Sequence, residues 1–188
     1  MAKLVTKIWH SHHCTLLSGA IVTIAMFFCI QTANAQQFEI EQRNDSLWVL
    51  SLINPTSGMT TGTWQLPYPV YRFATADIDG DGSLDALVGV YKSSRYFTQP
   101  SRRIFIFKNF NGKVRPLWLG SRLGGDLIDF SVAGNTIRAI EKTKTDYAVS
   151  NYTWKGFGMG FKALVARCST LEESYILLKQ QSLQKPKQ

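Results

Sequence analysis

Beyond residue 35 the chain has no histidine and a single cysteine, Cys168. His10, His12 and His13 sit near the start, with Cys14 and Cys29. That opening stretch reads as a secretory leader that is removed on export. Lys3 and Lys7 form a positive n-region, and Leu16–Ile30 is an uncharged apolar run of 15 residues. Ala33-Asn34-Ala35 is a small-residue cleavage site. A membrane span needs about 20 apolar residues, so cleavage after Ala35 is expected over an uncleaved anchor. Cys29 lacks the small residues that precede a lipidated cysteine. No later segment is apolar enough to span a membrane. Residues 36–188 are therefore expected to be exported to a periplasm, a cell surface or the medium.

These absences exclude much chemistry after cleavage. Without histidine there is no Ser-His-Asp or Cys-His machinery. Histidine-ligated zinc and facial-triad iron sites are excluded as well. With one cysteine there is no intrachain disulfide, and the apolar run Ala163-Leu164-Val165-Ala166 before Cys168 predicts a buried thiol. No P-loop and no glycine-rich dinucleotide fingerprint occurs. Gly156-Phe157-Gly158-Met159-Gly160 has no helix start after it and reads as a turn between strands. A hydrolase would have to rest on carboxylates alone, as glycosidases do. Outside one acidic loop the acids are scattered. Asp126 and Asp129, the nearest to a pair, read as a solvated turn acid and a strand-edge acid. No catalytic constellation emerges, which weighs against an enzyme.

That one loop is the densest chemistry in the chain: Asp77-Ile78-Asp79-Gly80-Asp81-Gly82-Ser83-Leu84-Asp85. Carboxylates stand at loop positions 1, 3, 5 and 9, with glycine at position 6. Acids this close repel one another unless a cation joins them, and Ca²⁺ takes 6–8 oxygen ligands. The alternative is a tight acidic turn without metal. The pattern departs from an EF-hand, because position 12 is Val88 in place of the bidentate Glu. The flanks, Val70–Ala76 and Ala86–Tyr91, are β-branched and aromatic, so the loop joins two strands.

The run from Phe73 to Gly89 resembles the FG-GAP/VCBS family of calcium-binding repeats, which form integrin-like β-propeller blades. The match spans about one repeat. The resemblance implies one structural Ca²⁺, held by the side chains of Asp77, Asp79, Asp81 and Asp85 and by the backbone carbonyl of Ser83.

The rest of the chain supports a β architecture. Strands are expected at Leu47–Ile53, Val70–Ala76, Ala86–Tyr91, Arg103–Lys108, Val114–Leu119, Leu127–Val132, Thr136–Glu141, Tyr147–Trp154 and Gly160–Val165. Turn residues separate them, and Asn111-Gly112 between two apolar runs is a strong hairpin signal. Grouped by fours, Val70–Leu119 makes one blade and Leu127–Val165 a second, whose loop Val132–Asn135 has no acids. Residues 36–66 supply part of a third. Propellers typically need 4–8 blades of four strands, so the chain is too short for a closed propeller. The expected fold is a mostly β domain of antiparallel meanders over 36–168. A sandwich, an open stack and closure by assembly with other chains remain open. Ser169…Glu172 and Thr170…Glu173 are overlapping capping boxes. They start a helix over Thr170–Ser182 that packs through Leu171, Tyr175, Leu178 and Ile176, before a frayed basic tail ending at residue 188.

Of the 21 basic residues, 19 lie beyond residue 35, against 13 acids. They are dispersed, and no nucleic-acid motif accompanies them, so no nucleic-acid partner is expected. Dense aromatics such as Phe105, Phe107, Trp118, Phe130, Tyr152, Trp154, Phe157 and Phe161 suit core packing, with an exposed binding platform as the alternative. The loop Lys92–Ser101, with Tyr91, Tyr96, Phe97, Arg95, Arg102 and Arg103, is the expected recognition surface. Two sequons, Asn44-Asp45-Ser46 and Asn151-Tyr152-Thr153, matter only in a host that glycosylates. The leading functional reading is an exported calcium-binding β-module that binds a protein or glycan. A carboxylate-based secreted glycan hydrolase and a structural subunit of a larger, oligomeric β-assembly stand beside it.

Overall fold

A computed structural model describes residues 36–95 and 97–183. The leader, with its cysteines and histidines, lies outside the described residues, as do Tyr96 and the tail from 184. The fold is mostly β, with eleven strands and one helix among the described residues. In chain order these are β1 (Gln37–Asn44), β2 (Leu47–Ile53), β3 (Thr60–Leu66), β4 (Val70–Ala76), β5 (Asp85–Lys92), β6 (Ser101–Phe110), β7 (Lys113–Leu119), β8 (Asp126–Ala133), β9 (Thr136–Lys142), β10 (Tyr147–Trp154), β11 (Met159–Cys168) and α1 (Leu171–Leu183).

The strands form three antiparallel meanders, β1-β2-β3, β4-β5-β6-β7 and β8-β9-β10-β11. The two groups of four expected from the sequence are therefore the second and third sheets. They close into neither a barrel nor a propeller. The sheets lie in layers, and the side chains between layers define the architecture. Phe38, Leu50, Leu52 and Leu66 of the first sheet pack on Ala86, Val88, Val90, Phe105, Phe107 and Val114 of the second. The opposite face of the second sheet offers Leu87, Ile104, Ile106 and Trp118 to Phe130, Ile137, Ala139 and Tyr152 of the third. The far face of the third sheet, through Ile140 and Val149, meets Leu178 of α1.

Strand alternation explains this stacking. Successive side chains point to opposite faces. In β5 and β6 both sets are apolar, so the second sheet is buried on both sides. In the first sheet one set is polar. Glu39, Glu41, Thr63 and Gln65 are exposed and end the stack with a wetted face. The helix ends it on the other side.

Turn chemistry sets the register. Asn111 and Gly112 both have positive φ, 51° and 76°, as a two-residue β6–β7 hairpin of the primed type requires. The β3 residue Gly62 passes so close to this hairpin that a Cβ there would lie 2.9 Å from the Gly112 carbonyl oxygen. At the helix start Thr170 is the cap. Its Oγ1 accepts the Glu173 amide hydrogen (3.3 Å), and Glu173 Oε2 accepts from the Ser169 amide (3.1 Å). The second of the two overlapping capping boxes is the one used.

Several expectations are corrected. The polar segments β1 and β3 are full strands. Ile176 is 58% exposed, so α1 packs through Leu178 with Leu171, Tyr175 and Leu177. Asp129, expected as a strand-edge acid, is an inward-facing one. It is buried, and it accepts a bidentate pair of hydrogen bonds from the Arg72 guanidinium across the second and third sheets. Asp126 is the exposed acid of the two, paired with Arg122 at 2.9 Å. The aromatics divide. Phe105, Phe107, Trp118, Phe130 and Tyr152 are buried, whereas Phe157 and Phe161 are exposed. Cys168 is buried, as its sequence context implied. No helix among the described residues is long and apolar enough to cross a membrane.

Candidate metal centre

The acidic loop connects β4 to β5 within the second sheet. Its backbone is shaped by its own carboxylates. Asp77 Oδ1 accepts from the Gly80 amide at 2.7 Å, and Asp77 Oδ2 from the Gly82 amide at 3.0 Å. Asp79 accepts from the Asp81 amide, and Asp81 from the Ser83 amide. Such turns hold the chain close around each acid. Gly80 and Gly82 have φ of 79° and 85°, in the left-handed region where a Cβ is strained. The loop therefore curls back on itself, and its first acid approaches its last.

Asp77, Asp79 and Asp85 converge, each offering a carboxylate oxygen within 4.8 Å of the others. Their burial differs. Asp77 and Asp79 are partly exposed, while Asp85, the first residue of β5, is fully buried. Asp85 Oδ2 accepts the Ile78 amide hydrogen at 2.9 Å. Asp85 Oδ1 is buried and accepts no hydrogen bond from the described residues. Burial pushes the Asp85 carboxyl up to about 6, and the nearby Asp79 adds to the rise, against the pull of the Ile78 amide.

Asp81 is not a member of this trio. Asp81 Oδ2 accepts from Lys108 Nζ at 2.7 Å, and the same ammonium donates to Asp79 Oδ2. Hydrogen bonds from Lys108 and from the Ser83 amide hold the Asp81 carboxyl below its usual range. Asp79 and Asp81 in turn raise the Lys108 ammonium above its own. Ser83 is exposed, and its amide is taken up by Asp81. Lys108 is not legible as a partner of the loop from spacing, since it lies 29 positions from Asp79. The β5–β6 register pairs Ala86 with Phe107, which leaves Lys108 on the next step toward the loop.

The trio is an oxygen-only donor set, and one of its members, Asp85, carries a buried, unsatisfied oxygen. Hard cations suit it, and soft metals that favour nitrogen or sulfur do not. An isolated buried carboxylate oxygen costs free energy unless a donor or cation meets it. The residues therefore fit a metal ion, and Asp77, Asp79 and Asp85 are those that would hold it.

The loop between β5 and β6 borders a cleft of about 630 Å³ that runs between the second and third sheets. Tyr91, Phe97, Trp118, Arg102 and Arg122 line it. Tyr91 and Phe97 are 47% and 45% exposed. The Arg122 guanidinium lies 5.5 Å from the Phe97 ring and that of Arg103 lies 5.9 Å away. Arg103 is buried and ties the loop down, donating to the carbonyls of Lys92 and Gly120 and to Ser94 Oγ. Arg102 lies over Tyr71 and donates to the Ile128 carbonyl.

A second cleft, of about 850 Å³, opens on the part of the third sheet that carries Tyr152, Phe161 and Leu164. At its floor the buried Glu141 accepts from Tyr152 Oη and from the Gly125 amide, both at 2.8 Å. No protein-family model matches the chain, and no curated protein matches it in sequence.

Proposed function

We propose that this protein is an exported calcium-binding β-module with one structural Ca²⁺ in the Asp77–Asp85 loop. Its ligand surface is the cleft beside the Lys92–Ser101 loop. The single observation that carries the metal reading is the buried Asp85 Oδ1, which meets no donor in a carboxyl group that Asp77 and Asp79 approach. Calcium is the cation chosen because the donors are all oxygens, and because weak sites of this kind are typical of modules outside the cell. Resemblance of Phe73–Gly89 to FG-GAP/VCBS repeats supports the same choice, and the leader pattern supports export.

The recognition reading rests on exposed Tyr91 and Phe97 beside arginines, a combination suited to a protein or glycan partner. A carboxylate hydrolase is less well supported. The acids that border the two clefts are engaged, Asp126 by Arg122 and Glu141 by Tyr152 and Gly125.

Isothermal titration with CaCl₂, paired with melting in EDTA and in calcium, tests the metal reading. One Ca²⁺ per chain and a raised melting temperature are expected. Asp77→Ala with Asp79→Ala abolishes both. A flat titration with identical melts would overturn the proposal.

A further inference from the structure

Among the described residues, Lys108 reaches into the acidic loop from another strand, β6. Its Nζ is shared between Asp79 Oδ2 and Asp81 Oδ2. The side chain is only 22% exposed, so the ammonium is held and not merely nearby. Asp79 belongs to the converging trio, whereas Asp81 does not. The ammonium thus engages one member of the trio and ties the fourth loop acid down beside it. We infer that Lys108 is a built-in counter-cation that holds the loop when the metal is absent and competes with calcium for it, setting a low affinity. This rests on the calcium reading of the same loop.

Two charges argue for competition. Four carboxylates in nine residues repel one another, and one ammonium relieves part of that without filling the position beside Asp85 Oδ1. A divalent ion entering the trio must share Asp79 with Lys108 and meets a like charge at close range. Ligand charge count is a main lever on calcium affinity, and Lys108 lowers the effective count by one. The same residue therefore has opposite effects in the two states. It stabilises the loop without metal and opposes the metal's arrival.

Lys108→Gln and Lys108→Arg in the full chain separate these roles, with CaCl₂ as titrant and melting in EDTA as the second readout. Lys108→Gln is expected to bind calcium about tenfold more tightly, since a neighbouring like charge is gone. In EDTA the same variant is expected to melt below the parent. Lys108→Arg keeps the charge and stays close to the parent in both. A residue that merely packs would lower stability without tightening binding. If the parent binds calcium and Lys108→Gln binds equally or more weakly, the competition idea is overturned and the calcium proposal survives. If the parent does not bind calcium, the inference falls with the calcium reading, even where Lys108→Gln binds. If neither binds, both readings fall.

Discussion

Asp85→Asn asks whether the buried carboxylate exists for a cation or for the fold. The rise of this carboxyl from 3.8 to about 6 corresponds to about 3 kcal/mol held against the metal-free fold at neutral pH. Water around the open loop screens part of this, so about 1–2 kcal/mol is a better figure. Asparagine keeps the shape and accepts the Ile78 amide hydrogen through its carbonyl oxygen. Its amino group then replaces Oδ1 as a buried donor, and leaving it unmet would cost about 1–2 kcal/mol. The two effects nearly cancel, so in EDTA the variant is expected to melt within a few degrees of the parent.

Calcium breaks that balance. A ligand at about 100 times its Kd stabilises by about 2.7 kcal/mol. For a domain of this size each kcal/mol moves the melting point by about 2–4 °C. The parent should therefore gain about 5–11 °C, and Asp85→Asn little or none. Scanning calorimetry of both proteins in EDTA and in calcium reads all four values. A loss of more than about 3 kcal/mol in EDTA, in the range of a broken buried network, would make Asp85 a satisfied structural acid. An undiminished calcium shift in the variant would remove Asp85 from the site. Either result refutes the reasoning.

Three further outcomes are expected. Arg72→Leu strands Asp129 between the second and third sheets; partial exposure of Arg72 reduces the usual penalty for a broken buried pair to about 2–3 kcal/mol, measurable by urea unfolding, and Arg72→Leu with Asp129→Leu should recover most of it. Gly62→Ala drives a methyl group into the Gly112 carbonyl and should cost about 1–3 kcal/mol in the same assay, whereas a neutral result would mean that the β6–β7 hairpin yields freely. Burial raises the Tyr152 hydroxyl from 10.0 up to about 12, so the folded state keeps a proton that the unfolded chain gives up first. Stability is then intact below pH 10 and declines as pH climbs toward 12, a decline that Tyr152→Phe should reduce.

Much of the fold was legible because its signals are local. β4, β5, β6 and β7 are apolar or aromatic runs bounded by recognisable turns, and Asn111-Gly112 marks its hairpin without outside help. β1 and β3 were hidden. They form the outermost sheet, whose strands need only one apolar set, and Gly62 weakens the β3 pattern for a reason visible only once the hairpin beside it is placed. Asp129 was misread because its partner Arg72 lies 57 positions away. The loop acids were legible as a group and not as individuals. Spacing marks four equivalent carboxylates, while tertiary structure makes Asp85 dry, gives Asp81 to Lys108 and leaves Asp77 bound to its own turn.

The second sheet is buried on both faces, between the first sheet and the third, and the loop opens at the head of its inner strand β5. The first sheet and the helix are each held by a single interface and can loosen alone, but the second sheet opens only when both neighbouring sheets have left. Its amides should be the last to exchange with solvent. An ion bound at Asp85 would thus grip the chain at its slowest-opening point, and would tighten the whole molecule more than a surface loop of nine residues ordinarily could.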